Sequence, residues 1–119
     1  MQYLLLFCGK PHEMEAWEAL PDETRALHAR RMKHWFAQHR GQISTSYLFA
    51  ETYTATTVVF SSHGRPVLLD GPFEGTGVIS GAALIEVADL DEALQLATTW
   101  PLRPPAPSIV EIRPLAELA

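Results

Sequence analysis

A single cysteine, Cys8, in 119 residues leaves no partner for an internal disulfide and no Cys-based zinc site. It lies within an apolar run and reads as a small core residue. No stretch approaches the roughly 20 apolar residues of a membrane span. The opening "MQYLLLFCGK" has neither a charged leader nor a cleavage site, so no signal peptide is expected and a cytoplasmic location is. Basic residues are also scarce. Nine Lys+Arg stand against fourteen Asp+Glu, for a formal net charge of −5. Phosphate-backbone binding needs a concentrated basic face, and the densest stretch, "RALHARRMKHWFAQHR", is interleaved with apolar residues, so it reads as a solvated helix face. Neither nucleic acid nor membrane is an expected partner.

Two further absences bear on the glycines and the histidines. No Gly-Lys-Ser/Thr follows the glycine-rich "EGTGVISG", which runs into a strand pattern rather than a helix N-terminus. That excludes a phosphate cradle and predicts a mobile loop. None of the five histidines forms an i,i+4 pair. His28 and His39 share a helix face but stand about 16 Å apart along the axis, at about 1.5 Å per residue. No metal ligand is assigned, although a site assembled with His12 or His63 stays open on sequence alone.

What is present is enough apolar material for one core: 47% of the residues are hydrophobic, and a single domain over residues 1–119 is expected. "QYLLLFC", closed by Gly9 and Pro11, predicts a strand buried on both faces. "HEMEAWEAL" predicts a short helix stopped by Pro21. From Asp22 a longer helix is predicted to about Arg40, ended by Gly41. Its apolar face carries His28, Met32, Trp35, Phe36 and His39, and its other face Arg31, His34 and Gln38. "QISTSYLFA" alternates Ile43, Thr45, Tyr47 and Phe49 and reads as a strand or an extended excursion. "TATTVVF" and "PVLL" predict a hairpin turning at His63-Gly64. "AALIEV" predicts a further strand. In "DLDEALQLATTW", Asp89 as N-cap and Glu92 at N3 form a capping box, and Pro101 stops the helix. "PLRPPAP" reads as a surface linker and "SIVEIRPL" as the last strand.

The order is close to βαββαβ, an α+β plan with an antiparallel sheet and helices on one face. Strands as apolar as "YLLLF" and "AALIEV" need cover on both sides, and the chain has too few helices for a second layer. A homodimer stacked sheet on sheet supplies it.

Five segments in order, "MQYLLL", "TATTV", "DGPF", "ALIEVADLDEAL" and "EIRPL", make the chain resemble the YCII-related family, in the branch named for its DGPF motif. The resemblance spans almost the whole chain. It implies a dimeric α+β barrel of ferredoxin-like fold, and a cleft in which a His and an Asp have been proposed to act. One relative takes part in chloroaromatic breakdown, and other proteins of the fold are isomerases or monooxygenases. Some DGPF proteins are encoded beside alternative sigma factors, which implies a regulatory connection. The chain departs from the family after DGPF. A Lys-Glu pair and then a Gly-Gly with an aromatic are usual there, whereas "EGTGVISGAAL" has no lysine and no aromatic ring.

On this likeness His28 matches the family's helix histidine, with His34 as a substitute, and Asp70 is its acidic partner. Asp-Gly-Pro after a strand is also turn chemistry, and a structural turn and a pocket rim are compatible roles for it. Two readings follow. The first is an enzyme on a small, cyclic or aromatic organic molecule, with no organic cofactor. His28 acts as general acid or base, Asp70 orients it, and Trp35, Phe36, Gly71, Pro72 and Phe73 line the ligand. The second is a small-molecule-binding or accessory dimer that uses the same cleft without chemistry. No nucleophile elbow or cofactor fingerprint favours the first, and the altered loop favours the second.

Overall fold

In the computed structural model, residues 1–73 and 78–117 are described. The elements are β1 (Gln2–Gly9), α1 (Pro11–Glu18), α2 (Asp22–Gln38), β2 (Ile43–Leu48), a 3₁₀ turn (Thr52–Thr54), β3 (Thr56–Val59), β4 (Val67–Asp70), β5 (Val78–Glu86), α3 (Leu90–Ala97) and β6 (Ile109–Pro114). Four strands form an antiparallel sheet in the order β2-β5-β1-β6, while β3 and β4 form a separate ribbon. With that ribbon set aside, the order is βαββαβ and the fold is ferredoxin-like α+β.

Alternation along β1 creates the two faces of the sheet. Tyr3, Leu5 and Phe7 are buried and Leu4, Leu6 and Cys8 only half-buried. The first set packs with Ala83 and Ile85 of β5, Trp35 of α2, and Ala93 and Leu96 of α3. All three helices lie on that side, with Trp17, Met32 and Phe36 at the margin of the core. Phe7 is its aromatic centre. It stacks on Trp100 at 4.2 Å and meets Trp35 and Phe36 edge-on at 5.9 and 5.8 Å. The Trp35 indole N–H is satisfied by Thr99 Oγ1 at 2.8 Å, which lets the ring be almost fully buried.

Among the described residues, the second face carries no helix. Cross-strand pairing lines up Leu4 with Leu84, Leu6 with Ala82, and Cys8 with Ile79 and Ile109; Tyr47 stands beside Ala82. Tyr47, Ile79 and Ile109 are exposed. The β3–β4 ribbon is bare on both faces as well: Val58 pairs with Leu68 and Val59 with Val67, and all four are exposed. A compact chain of this length has a radius of gyration of about 13–14 Å, whereas this one measures 16.1 Å over extents of 48 × 46 × 19 Å. The molecule is a flat slab with a projecting arm.

Several local expectations hold. Asp89 caps α3 by accepting Glu92 N–H at 2.9 Å. Glu92 reaches back to the amide of Ala88 at 2.8 Å, one residue beyond the usual partner, and also accepts Gln42 Nε2 at 2.9 Å. Arg31, His34 and Gln38 face outward from α2.

Others need correction. Helix α2 ends at Gln38, with His39 as C-cap, rather than at Arg40. The hairpin connection takes residues 60–66 rather than a tight two-residue turn, although Gly64 does adopt φ +102° in it. The segment "PLRPPAP" is no surface linker throughout: Leu102 and Ala106 are buried in the core, and Trp100 just before it donates its indole N–H to Pro107 O at 3.0 Å. Of the predicted glycine-rich loop, residues 74–77 lie outside the described residues. Gly81 belongs to β5, where a Cβ would come within 2.7 Å of the Tyr47 carbonyl oxygen.

Candidate functional site

Helix α2 presents Arg25, His28, Ala29 and Met32 along one stripe, since residues three and four apart share a helix face. Opposite them lie Phe7, Ser80 and Gly81 of the sheet, Leu48 at the end of β2, and Phe49. Trp17, Trp100, Leu102 and Pro107 complete a cavity of about 200 Å³. The lining is largely apolar and aromatic. Sheet geometry makes room for it: the β1–β5 register slips between Phe7 and Cys8, so Ser80 is left unpaired and turns its hydroxyl to the Phe7 carbonyl at 3.0 Å. The missing side chain at Gly81 lets β2 approach there.

His28 is half-buried in this lining. Its Nδ1 lies 2.8 Å from the Thr24 carbonyl oxygen, and its ring meets Trp17 edge-on at 5.2 Å. A carbonyl only accepts, so Nδ1 carries the hydrogen and the neutral ring keeps its lone pair on Nε2. One nitrogen is thus occupied in holding the ring, and the other is left as a proton acceptor. The Cys8 thiol, on the open sheet face, is pushed up from its ordinary pKa by burial and then by the Glu111 carboxylate, which keeps it protonated.

A second, larger cavity of about 880 Å³ opens where the arm leaves the body, between Pro11, Phe49–Thr52, Thr54, Ala55, Pro72, Phe73, Val78 and Ile79. A recess of about 130 Å³ lies between the two and shares residues with each; Phe49 lines all three. The three cavities adjoin one another, with the His28 pocket on one side of the recess and the cavity at the arm on the other.

Of the residues singled out from sequence, His28 lines the inner pocket, and Pro72 and Phe73 line the outer one. Trp35 and Phe36 line neither; they buttress Phe7 and Trp100 from behind. Asp70, the exposed last residue of β4, and Gly71 also stand outside both linings. Gly71 has a plain structural task. At φ +101° its N–H donates to Ala55 O at 2.7 Å, and its carbonyl accepts Thr57 Oγ1 at 2.8 Å, which closes the base of the arm. Trp17, Arg25, Phe49 and Ser80 were missed. Arg25 left a signal, three residues before His28 on the same stripe. Phe49 and Ser80 reach the pocket only through the β2–β5 pairing and the slip in register, which no local pattern announces. Among the described residues, no three His, Cys, Asp or Glu side chains converge as a metal site, and no helix is long and apolar enough to cross a membrane.

The chain is similar to an uncharacterised protein of Rhizobium meliloti (strain 1021), with 33% identity over 119 residues, covering 98% of this chain and 93% of that one. The family model for the YCII-related domain matches residues 1–119. The chain therefore belongs to the YCII-related family.

Proposed function

We propose that the inner pocket binds a single-ring organic molecule, and that His28 exchanges a proton with it through Nε2, without an organic cofactor. The observation that carries this reading is the half-buried imidazole, held through Nδ1 by a backbone carbonyl in an aromatic-lined cavity. An imidazole so placed is suited to general acid–base work. The volume, about 200 Å³, exceeds the roughly 150 Å³ of an apolar cavity that accepts benzene. Phe49, with half its surface exposed, lines both this pocket and the outer cavity.

Asp70 lies outside the pocket lining, and that favours a second reading: the same pocket, in a binding or accessory dimer, without chemistry. Asp70 precedes Gly71, whose two hydrogen bonds tie the base of the arm, and it makes no contact with His28 among the hydrogen bonds and ion pairs of the described residues.

The dimer forms part of the same proposal. Leu4, Leu6, Ala82, Leu84, Ile79 and Ile109 make an apolar sheet face without helical cover. A two-stranded ribbon with apolar residues on both faces is marginal on its own. A second copy stacked on the sheet covers the face and gives the arm a surface to lie on.

The test is a tryptophan-fluorescence titration with phenol, comparing the wild type with Ala29→Phe. The expected result is saturable quenching in the wild type and its loss when the phenylalanine fills the pocket. Equal binding by a folded Ala29→Phe variant would place the site elsewhere. Cyclohexanone, a single-ring probe with exchangeable α C–H positions, separates the two readings in D2O: exchange that is lost in His28→Gln supports chemistry, and no exchange above the buffer rate supports a binder.

A further inference from the structure

We propose that the molecule taken by the His28 pocket is an aromatic carboxylate, and that Arg25 holds its carboxylate group. The proposal rests on the reading of that pocket as a small-molecule site and adds the class of ligand.

Arg25 and His28 stand one turn apart on the same stripe of α2, a spacing that puts their Cβ atoms about 5–6 Å apart. Arg25 lines both the His28 pocket and the adjoining recess, so it sits at their junction. A guanidinium offers five N–H donors in a planar fork. Among the described residues this one makes a single hydrogen bond, from Nη2 to Asp22 Oδ1 at 2.6 Å, and the Asp22 side chain is 94% exposed. Its Nε is shut off from solvent with no hydrogen-bond partner. Among the described residues, no carboxylate lines the His28 pocket. Glu18 and Glu51 line the recess beyond, and neither is within ion-pairing distance of Arg25. Among the described residues, the exposed Asp22 is therefore the one carboxylate within ion-pairing distance of Arg25, and no carboxylate contacts it from the pocket.

A planar carboxylate matches the fork of a guanidinium better than a spherical anion does. The rest of the pocket is built for a ring: Phe7, Trp17, Met32 and Trp100 supply apolar walls. A ligand anchored by its carboxylate on Arg25 turns its ring toward His28 Nε2, where a ring hydroxyl finds its acceptor. The one cation thereby orients the molecule for the imidazole, which an apolar pocket alone does not do.

Benzoate and benzamide have the same shape and differ in charge. Titration of the full chain with each, read by the fluorescence of Trp17 and Trp100, should show benzoate binding about ten-fold more tightly, the usual scale of a charge-assisted hydrogen bond. Arg25→Gln should bring the ratio close to one, chiefly by weakening benzoate. Asp22→Asn, which removes the exposed negative charge and keeps both an acceptor oxygen and the guanidinium, should preserve the preference and serves as the control for helix integrity. Equal affinity in the wild type, or a preference that survives Arg25→Gln, overturns the carboxylate assignment and leaves the pocket reading standing. If neither probe binds, the pocket reading falls and the assignment falls with it. The wild-type ratio needs no variant, so a poorly folding Arg25→Gln does not remove the test.

Discussion

Replacing Gly81 with alanine is expected to destabilise the protein and to weaken the pocket at the same time. A Cβ built at Gly81 lies 2.7 Å from the Tyr47 carbonyl oxygen, whereas ordinary contact begins at 3.4 Å, and the obstacle is backbone rather than the end of a flexible side chain. Strand β2 must therefore move outward across a register in which Leu48 pairs with Gly81 and Tyr47 with Ala82. Forcing one extra carbon into packed structure costs about 1–3 kcal/mol. With a urea m-value of about 1–3 kcal/mol/M, the midpoint should fall by about 1 M. Leu48 and Phe49 would move with the strand, and both line the His28 pocket, so phenol binding should weaken too. Gly41→Ala is the control. Nothing lies within 4 Å of its Cβ position and its φ is not positive, so alanine there should be neutral or stabilising by about 0.4–1 kcal/mol. Urea unfolding of both variants at one fixed protein concentration is the assay, because association would shift the midpoints with concentration. If Gly81→Ala unfolds with the wild type, the close approach of β2 to β5 is wrong.

Asp89→Ala should cost about 1 kcal/mol, the usual loss of an N-cap. Glu92→Ala should cost at least as much, because Glu92 holds both the Ala88 amide and Gln42; urea midpoints would show the order. Thr99→Val leaves the Trp35 indole N–H without an acceptor and should cost about 1–3 kcal/mol by the same assay. The raised pKa of Cys8 gives a pH dependence: the folded thiol stays protonated while the unfolded one ionises, so stability should fall as pH rises through the ordinary thiol range. Glu111→Gln should weaken that fall, and a slope unaffected by Glu111 would remove its carboxylate as a cause. Sedimentation at micromolar concentration should show a dimer, with Cys8 slow to alkylate beneath it; a well-folded monomer refutes the stacked sheets.

The fold was readable because its signals are local and strong. The apolar run of β1, the caps of α3, and the alternation of β6 each name an element with no knowledge of the rest. The lone helical layer was legible by counting helices against apolar strands. The buried role of Leu102 and Ala106 was not, because a proline-rich composition describes the backbone and says nothing of what packs beneath it. The site divides in the same way. His28 and Arg25 share a stripe that helix periodicity reveals. The distance of Asp70 from that stripe depends on where the β3–β4 ribbon is attached, and DGPF looks the same as a turn or as a pocket wall. Phe49 enters the pocket because β2 ends beside the bulge at Ser80, a three-dimensional coincidence of two strands far apart in sequence.

The most direct measurement is NMR of the five histidine rings and the Met32 methyl group during titration with phenol. The account predicts saturable shifts at His28 and Met32, with His28 Nε2 moving more than the Nδ1 tied to Thr24, and no change at His63 in the exposed hairpin connection. Shifts confined to other residues, with His28 and Met32 unmoved at saturation, would contradict the assignment of this pocket as the functional site.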